Sequence, residues 1–210
     1  MLGGEERRIV LSADRGFTIV ELLVGVALLA ILLALGAPAM GTYLQNSKLA
    51  SVTSVYFSAL QAARSEAIRH NSATEFVLTN DAVTGADPAN TVAPSTSGRN
   101  WLIRAAASAG GYLPMIDAGT AGEGQGAPGP AAVQVQVSAS APAVWTGVIP
   151  FNGFGATDGP YTIDITNPVA GSCAGSGGSV RCRRIMVSPG GRIAACDPAA
   201  AASTGDSRAC

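Results

Sequence analysis

The chain has 210 residues, room for one domain of ordinary size and an appendage. Hydrophobic residues make up 48% and charged residues only 13%, about half the usual quarter. The 26 Gly and 12 Pro make it loop-rich without reaching a disordered composition. A net charge of −1 provides no global basic field for non-specific nucleic-acid binding, and a single His without an acidic cluster argues against metal hydrolases and His-dependent acid–base enzymes.

The apolar excess is concentrated near the start. From Phe17 to Ala37 the chain reads FTIVELLVGVALLAILLALGA, with Glu21 the one ionisable group. As a helix this run is roughly 31 Å long, enough to cross the hydrocarbon core of a bilayer. Arg7, Arg8 and Arg15 precede it, which by the positive-inside rule keeps the N-terminus cytoplasmic and sends the rest of the chain across. The alternative is a cleaved secretory signal, for which Ala37-Pro38-Ala39 has the small-x-small form. The run is longer than the usual apolar region of such signals, and it carries a carboxylate near its start. Burying that carboxylate costs up to about 3 kcal/mol at mid-membrane, and no partner lies nearby within the run. Its partner is therefore created by processing or supplied by another chain.

The segment Arg15-Gly16-Phe17-Thr18-Ile19-Val20-Glu21-Leu22-Leu23 resembles the class III signal of type IV pilins and type II secretion pseudopilins. The resemblance implies cleavage by a prepilin peptidase between Gly16 and Phe17 and N-methylation of the new Phe17 terminus. Residues 1–16 are then a leader, and Glu21 and Pro38 become the fifth and twenty-second residues of the mature chain. It also implies that Glu21 pairs with the α-amino group of a neighbouring subunit's Phe17 during assembly. Opposite charges attract strongly in a low-dielectric bundle, which offsets the burial of each.

Beyond the membrane span at 17–37, residues 38–71 read as an amphipathic continuation of the same helix. Pro38 removes a backbone hydrogen bond and is expected to kink or loosen the helix, assisted by Gly36 and Gly41. Leu49, Val52, Tyr56, Leu60, Ala63 and Ala67 recur at helical spacing. Gln45, Lys48, Ser51, Ser54, Ser58, Gln61, Arg64 and Ser65 form the wetter side. The helix is expected to run from about Thr18 to about Arg69 and to stop at His70-Asn71-Ser72, because Asn tolerates the left-handed backbone that ends helices. His70 reads as a solvated helix-end residue without metal co-ligands.

From residue 72 to the end the pattern is one of short strands and turns. Strands are predicted at 75–78, 100–104, 132–137, 144–149, 161–165, 184–187 and 192–194, with a Ser/Thr/Gly/Pro-rich loop over 80–98. One long helix followed by these strands predicts an α+β fold in which the stem helix packs on an antiparallel sheet. The Gly122-Glu123-Gly124-Gln125-Gly126 stretch superficially resembles a phosphate loop. It is read instead as a flexible surface loop, because no strand leads into it and no Lys-Ser/Thr or helix start follows.

All four cysteines, Cys173, Cys182, Cys196 and Cys210, fall in the tail. None has the close Cys-x₂₋₄-Cys spacing of structural zinc sites. On the far side of a membrane disulfides are the natural reading, and of three pairings the local ones, Cys173–Cys182 and Cys196–Cys210, are favoured.

Trp101, the Phe151-Asn152-Gly153-Phe154-Gly155 segment, the run Arg183 to Ile193 and the ending Cys196-Asp197-Pro198 to Arg208-Ala209-Cys210 resemble the head of the GspH/FimT minor pilins. That resemblance implies a periplasmic head, other pilins or pseudopilins as filament partners, inner-membrane lipid and a prepilin peptidase as further partners, and a role in priming or capping a filament at the inner membrane. Some FimT proteins bind DNA during natural transformation through a Gly-Arg-x-Arg motif. The corresponding stretch here is Gly191-Arg192-Ile193-Ala194, without the second Arg. DNA stays as the alternative partner, with Arg184 and Arg192 the candidate contacts within a group of five Arg (Arg181, Arg183, Arg184, Arg192 and Arg208) that faces Asp197 and Asp206. The other reading of these Arg is solvated strand and turn positions. No nucleophile–base–acid arrangement is apparent, so neither an enzyme nor a cofactor is expected.

Overall fold

The computed structural model describes residues 16–107, 110–120, 134–139, 145–200 and 205–210; within them the side chains of 35–39, 120, 134, 135 and 137–139 are not described. The chain divides into two compact units, Met1–Met40 and Gly41–Cys210. One helix, α1 (Ile19–His70), contributes to both. It runs through Pro38 without a break.

In the first unit every described side chain from Phe17 to Ala34 is exposed, including Leu22, Leu23, Val26 and Leu29. A helix that is apolar all round requires lipid or other protein about it. Among the described residues no helix is long and apolar enough to cross a membrane; the predicted span at 17–37 extends over side chains that lie outside them. The leader residues Arg7, Arg8 and Arg15 also lie outside them.

Among the described residues of the second unit, the larger of two apolar clusters is built on α1. Residues 41–70 of α1 present Leu49, Tyr56, Leu60, Ala63 and Ala67 as a fully buried stripe, as the helical spacing predicts; Ala59 joins it, and Val52 is only partly buried against it. Three assignments to its wetter side need correction, since Gln45, Lys48 and Arg64 are partly buried. The Gln45 amide oxygen accepts a hydrogen bond from Asn167 Nδ2 at 2.6 Å, and Arg64 Nε donates to the Gly155 carbonyl at 3.2 Å. The helix ends as expected: Asn71 is left-handed at φ 47°, Ser72 N–H donates to the Ala67 carbonyl and Asn71 N–H to that of Ile68. These two bonds satisfy carbonyls that the last turn leaves open.

Two four-stranded antiparallel sheets cover the stripe, where the sequence reading has a single sheet. The first, in the order β3-β2-β1-β5, contains β1 (Thr74–Thr79), β2 (Asn100–Ala105), β3 (Asp117–Thr120) and β5 (Val148–Phe151). The second, in the order β4-β6-β7-β8, contains β4 (Gln134–Ala139), β6 (Tyr161–Thr166), β7 (Arg183–Val187) and β8 (Ile193–Cys196). Phe76, Leu78, Trp101, Ile103 and Phe151 from the first and Ile163, Ile165, Ile185 and Val187 from the second enclose the same core. Aromatic rings sit at its centre: Phe76 lies 6.0 Å from both Tyr56, edge-on, and Trp101, stacked.

β3 was not predicted, and it contradicts the reading that no strand leads into the Gly-rich stretch. Its Asp-Ala-Gly-Thr sequence carries almost no β-propensity. It forms because Gly119 lets the backbone lie against the Trp101 ring, where a methyl group would come within 2.6 Å of a ring carbon. Residues 121–129 of that stretch lie outside the described residues, as do 132–133 and 144 of two predicted strands.

The 80–98 segment is more ordered than a bare loop. It contains a short helix, α2 (Pro88–Thr91). With Met115, Ala118 and Val148 it closes over Val77 and Leu102 on the outer face of the first sheet. Asp81 Oδ2 accepts from Ala93 N–H at 3.1 Å, Thr79 Oγ1 donates to the Ala93 carbonyl at 2.8 Å, and Trp145 Nε1 donates to the Thr96 carbonyl at 3.0 Å.

Candidate functional site

The sequence directs attention to two places, the junction at Gly16-Phe17 and the Cys/Arg-rich tail. Gly16, Phe17 and Thr18 precede α1 in non-helical backbone. Thr18 caps the helix: its Oγ1 accepts the Glu21 N–H at 3.2 Å and its carbonyl accepts the Leu22 N–H at 3.1 Å. Thr18-x-x-Glu21 is thus the sequence pattern of a capping box, a local signal that the sequence reading passed over. At the third helical position a carboxylate also faces the positive end of the helix dipole. Glu21 is exposed and shares a shallow groove with Phe17, Leu22, Gly25, Val26 and Leu29. Apart from that carboxylate the groove is apolar. Such a site suits a cation delivered by a chain whose own surface is greasy. Pro38 lies a further four to five turns along α1, and its side chain is outside the described residues.

In the tail Cys173 is bonded to Cys182 and Cys196 to Cys210, with Cα atoms 5.4 and 5.0 Å apart. The first loop carries a short 3₁₀ turn over Ala174–Ser176 and places Val180 and Cys182 in the core. The second is drawn to β8 where Asp197 N–H donates to the Arg208 carbonyl.

The Arg group is largely spoken for. Arg184 and Asp164 face each other across β6 and β7, with Nε–Oδ1 at 2.7 Å and Nη2–Oδ2 at 3.2 Å. This two-point bond holds the guanidinium even more firmly protonated than usual. Arg183 lies 3.8 Å from the buried Asp197, and Arg208 pairs with Asp206 at 2.7 Å. Arg192 and Arg181 are exposed. The candidate DNA contacts therefore differ: Arg192 faces solvent, whereas Arg184 would have to leave Asp164 to meet a phosphate. Among the described residues no group of three or more His, Cys, Asp or Glu converges as a metal site.

One cluster escaped the sequence reading. Arg104, only 6% exposed, donates to Glu75 Oε2 at 2.9 Å and to the Ala89 carbonyl at 2.9 Å, with its guanidinium 3.5 Å from the centre of the Tyr112 ring. It ties β1, β2, α2 and the 106–116 loop together. Glu75 and Arg104 are register partners, a relation that appears only once the strands are paired.

An exposed apolar helix that continues into a disulfide-bonded two-sheet head is the architecture of a pilin-type subunit. The model of the family described as Type II transport protein GspH matches residues 55–191, and that of the Prokaryotic N-terminal methylation motif matches residues 11–37. The chain belongs to the GspH family, as a FimT-like minor pilin or pseudopilin. Two crystal forms of the type IV minor pilin FimU of Pseudomonas aeruginosa are similar to it. One is 18% identical with a TM-score of 0.48, covering 72% of this chain and 90% of FimU. The other is 19% identical with a TM-score of 0.46, covering 70% and 91%. No curated protein matches the chain.

Proposed function

We propose that this protein is a structural subunit of a type IV pilus or type II secretion filament, one that primes or caps assembly at the inner membrane. Residues 1–16 are removed between Gly16 and Phe17, and Phe17 is N-methylated. The stem at 17–37 waits in the bilayer with its N-terminus cytoplasmic and the head periplasmic. Glu21 then meets the Phe17 amine of a neighbour as the subunit is drawn out, and Pro38 loosens the helix at the end of the stem. Membership of the GspH family supports the structural role.

The observation that carries the assembly step is Glu21 itself, a lone carboxylate in a groove of Phe17, Leu22, Gly25, Val26 and Leu29. A carboxylate in an apolar bundle is costly alone and tolerable when ion-paired. Glu21→Leu is expected to insert in the membrane normally and to be missing from sheared filaments. Normal incorporation of that variant would remove the ion-pair account. Intact mass of the membrane form tests the processing step, since a chain beginning at methylated Phe17 is required. DNA binding is the weaker alternative, because Asp164 already occupies Arg184.

A further inference from the structure

The end of the head from which the stem leaves carries a feature that filament assembly through Glu21 does not use. The β6–β7 connection opens with a tight turn, Asn167-Pro168-Val169-Ala170, in which Ala170 N–H donates to both the backbone carbonyl and the side-chain oxygen of Asn167, each at 3.1 Å. Asn167 is buried and its Nδ2 donates to Gln45 on α1, while Ala170 packs against the core. The turn is thus anchored on both sides, and Pro168 restricts its backbone further. At its tip Val169 is 70% exposed. Just before Gln45 on the helix, Tyr43 and Leu44 are 68% and 52% exposed.

The same end is cationic. Arg181 is exposed, and its backbone N–H is fixed to Asn46 Oδ1 at 2.8 Å. Lys48, partly buried, lies one turn along α1, and Asp206, whose carboxyl senses the charge of Arg181, is paired with Arg208. Tyrosine, aliphatic tips and basic side chains are the mixture that favours a membrane–water interface.

We propose that the Asn167–Ala170 turn, together with Tyr43 and Leu44, is a foot by which the head rests on an anionic lipid surface before the subunit enters a filament. The proposal rests on the reading of 17–37 as a membrane anchor. The foot would hold the waiting head in a defined orientation, and its release would accompany extraction of the stem.

The test uses the full chain in vesicles of phosphatidylethanolamine and phosphatidylglycerol, with and without bromine on the acyl chains near the head group. Val169→Trp adds an emission above that of Trp101 and Trp145, and bromolipid is expected to quench about half of it or more, as contact within the interfacial layer requires. Phe154→Trp is the control. Phe154 is 86% exposed beside the far end of α1, where Gly153 packs on Asn71, roughly 39 Å along the helix from Gln45; its emission should be unquenched. Arg181→Ser, which keeps the backbone bond to Asn46, should lower the ratio of quenched to unquenched Val169→Trp emission about five-fold, the weight of one cation at an anionic surface. A chain that floats with the vesicles while Val169→Trp stays unquenched overturns the foot and leaves the anchor standing. A chain that does not float overturns both.

Discussion

Arg104 shows what a single buried charge does in this head. Its guanidinium is taken out of water and satisfied by Glu75, the Ala89 carbonyl and the Tyr112 ring. Glu75 is partly exposed, so removing the cation leaves a carboxylate that can rehydrate in part. Arg104→Met is therefore expected to cost about 2–4 kcal/mol in urea unfolding, toward the low end for a broken buried pair. Asp206, only partly buried, illustrates a charge nearer the surface. The Arg208 guanidinium and backbone N–H lower its carboxyl from 3.8 to about 2. A depressed carboxylate contributes above its unfolded value and loses that contribution as pH falls through the folded one. The C-terminal loop should thus keep its Asp206–Arg208 contact down to about pH 4 and lose it toward pH 2. An NMR titration of Asp206 should have its midpoint near 2, and Arg208→Ala should return it to the ordinary carboxylate range.

At the level of elements, the turns carry more of the architecture than their composition suggests. The Ser188–Gly191 turn joining β7 to β8 packs on the 152–156 turn: Thr157 N–H donates to the Pro189 carbonyl at 2.9 Å, and Gly191, at φ 75°, lies where a methyl group would strike the Gly155 carbonyl. The Cys173–Cys182 loop likewise contributes Val180 to the core. Its bond limits the unfolded chain, so replacing both residues, Cys173→Ser with Cys182→Ser, should lower stability by about 2–4 kcal/mol. The measurement is thermal unfolding of the double variant beside wild type. A drop well below that range would mean that the neighbouring hydrogen bonds hold the loop without the sulfurs.

For the whole molecule, the decisive fact is that one helical stripe serves two sheets. Leu60, fully buried, belongs to the same cluster as Phe76 and Trp101 of the first sheet and Ile163 and Ile185 of the second. Leu60→Ala should cost about 2–5 kcal/mol, and hydrogen exchange should show β1, β2, β6 and β7 losing protection together. Loss confined to one sheet would mean that the two fold as separate units. The first unit obeys other rules. Its helix has no internal core, so lipid or neighbouring chains must cover its side chains.

Much of this was legible in the sequence because it is local. The apolar run, the helical spacing from Leu49 to Ala67 and the stop at Asn71 depend on neighbours a few residues away, and so does the alternation in β6. Tertiary structure alone decided the rest. It divided the strands between two sheets, formed β3 from a sequence of low β-propensity, drew Gln45, Lys48 and Arg64 partly out of water, and matched Asp164 to Arg184 and Glu75 to Arg104. Each of these depends on which strands become neighbours and in what register, and that is set by the packing of side chains far apart in the chain.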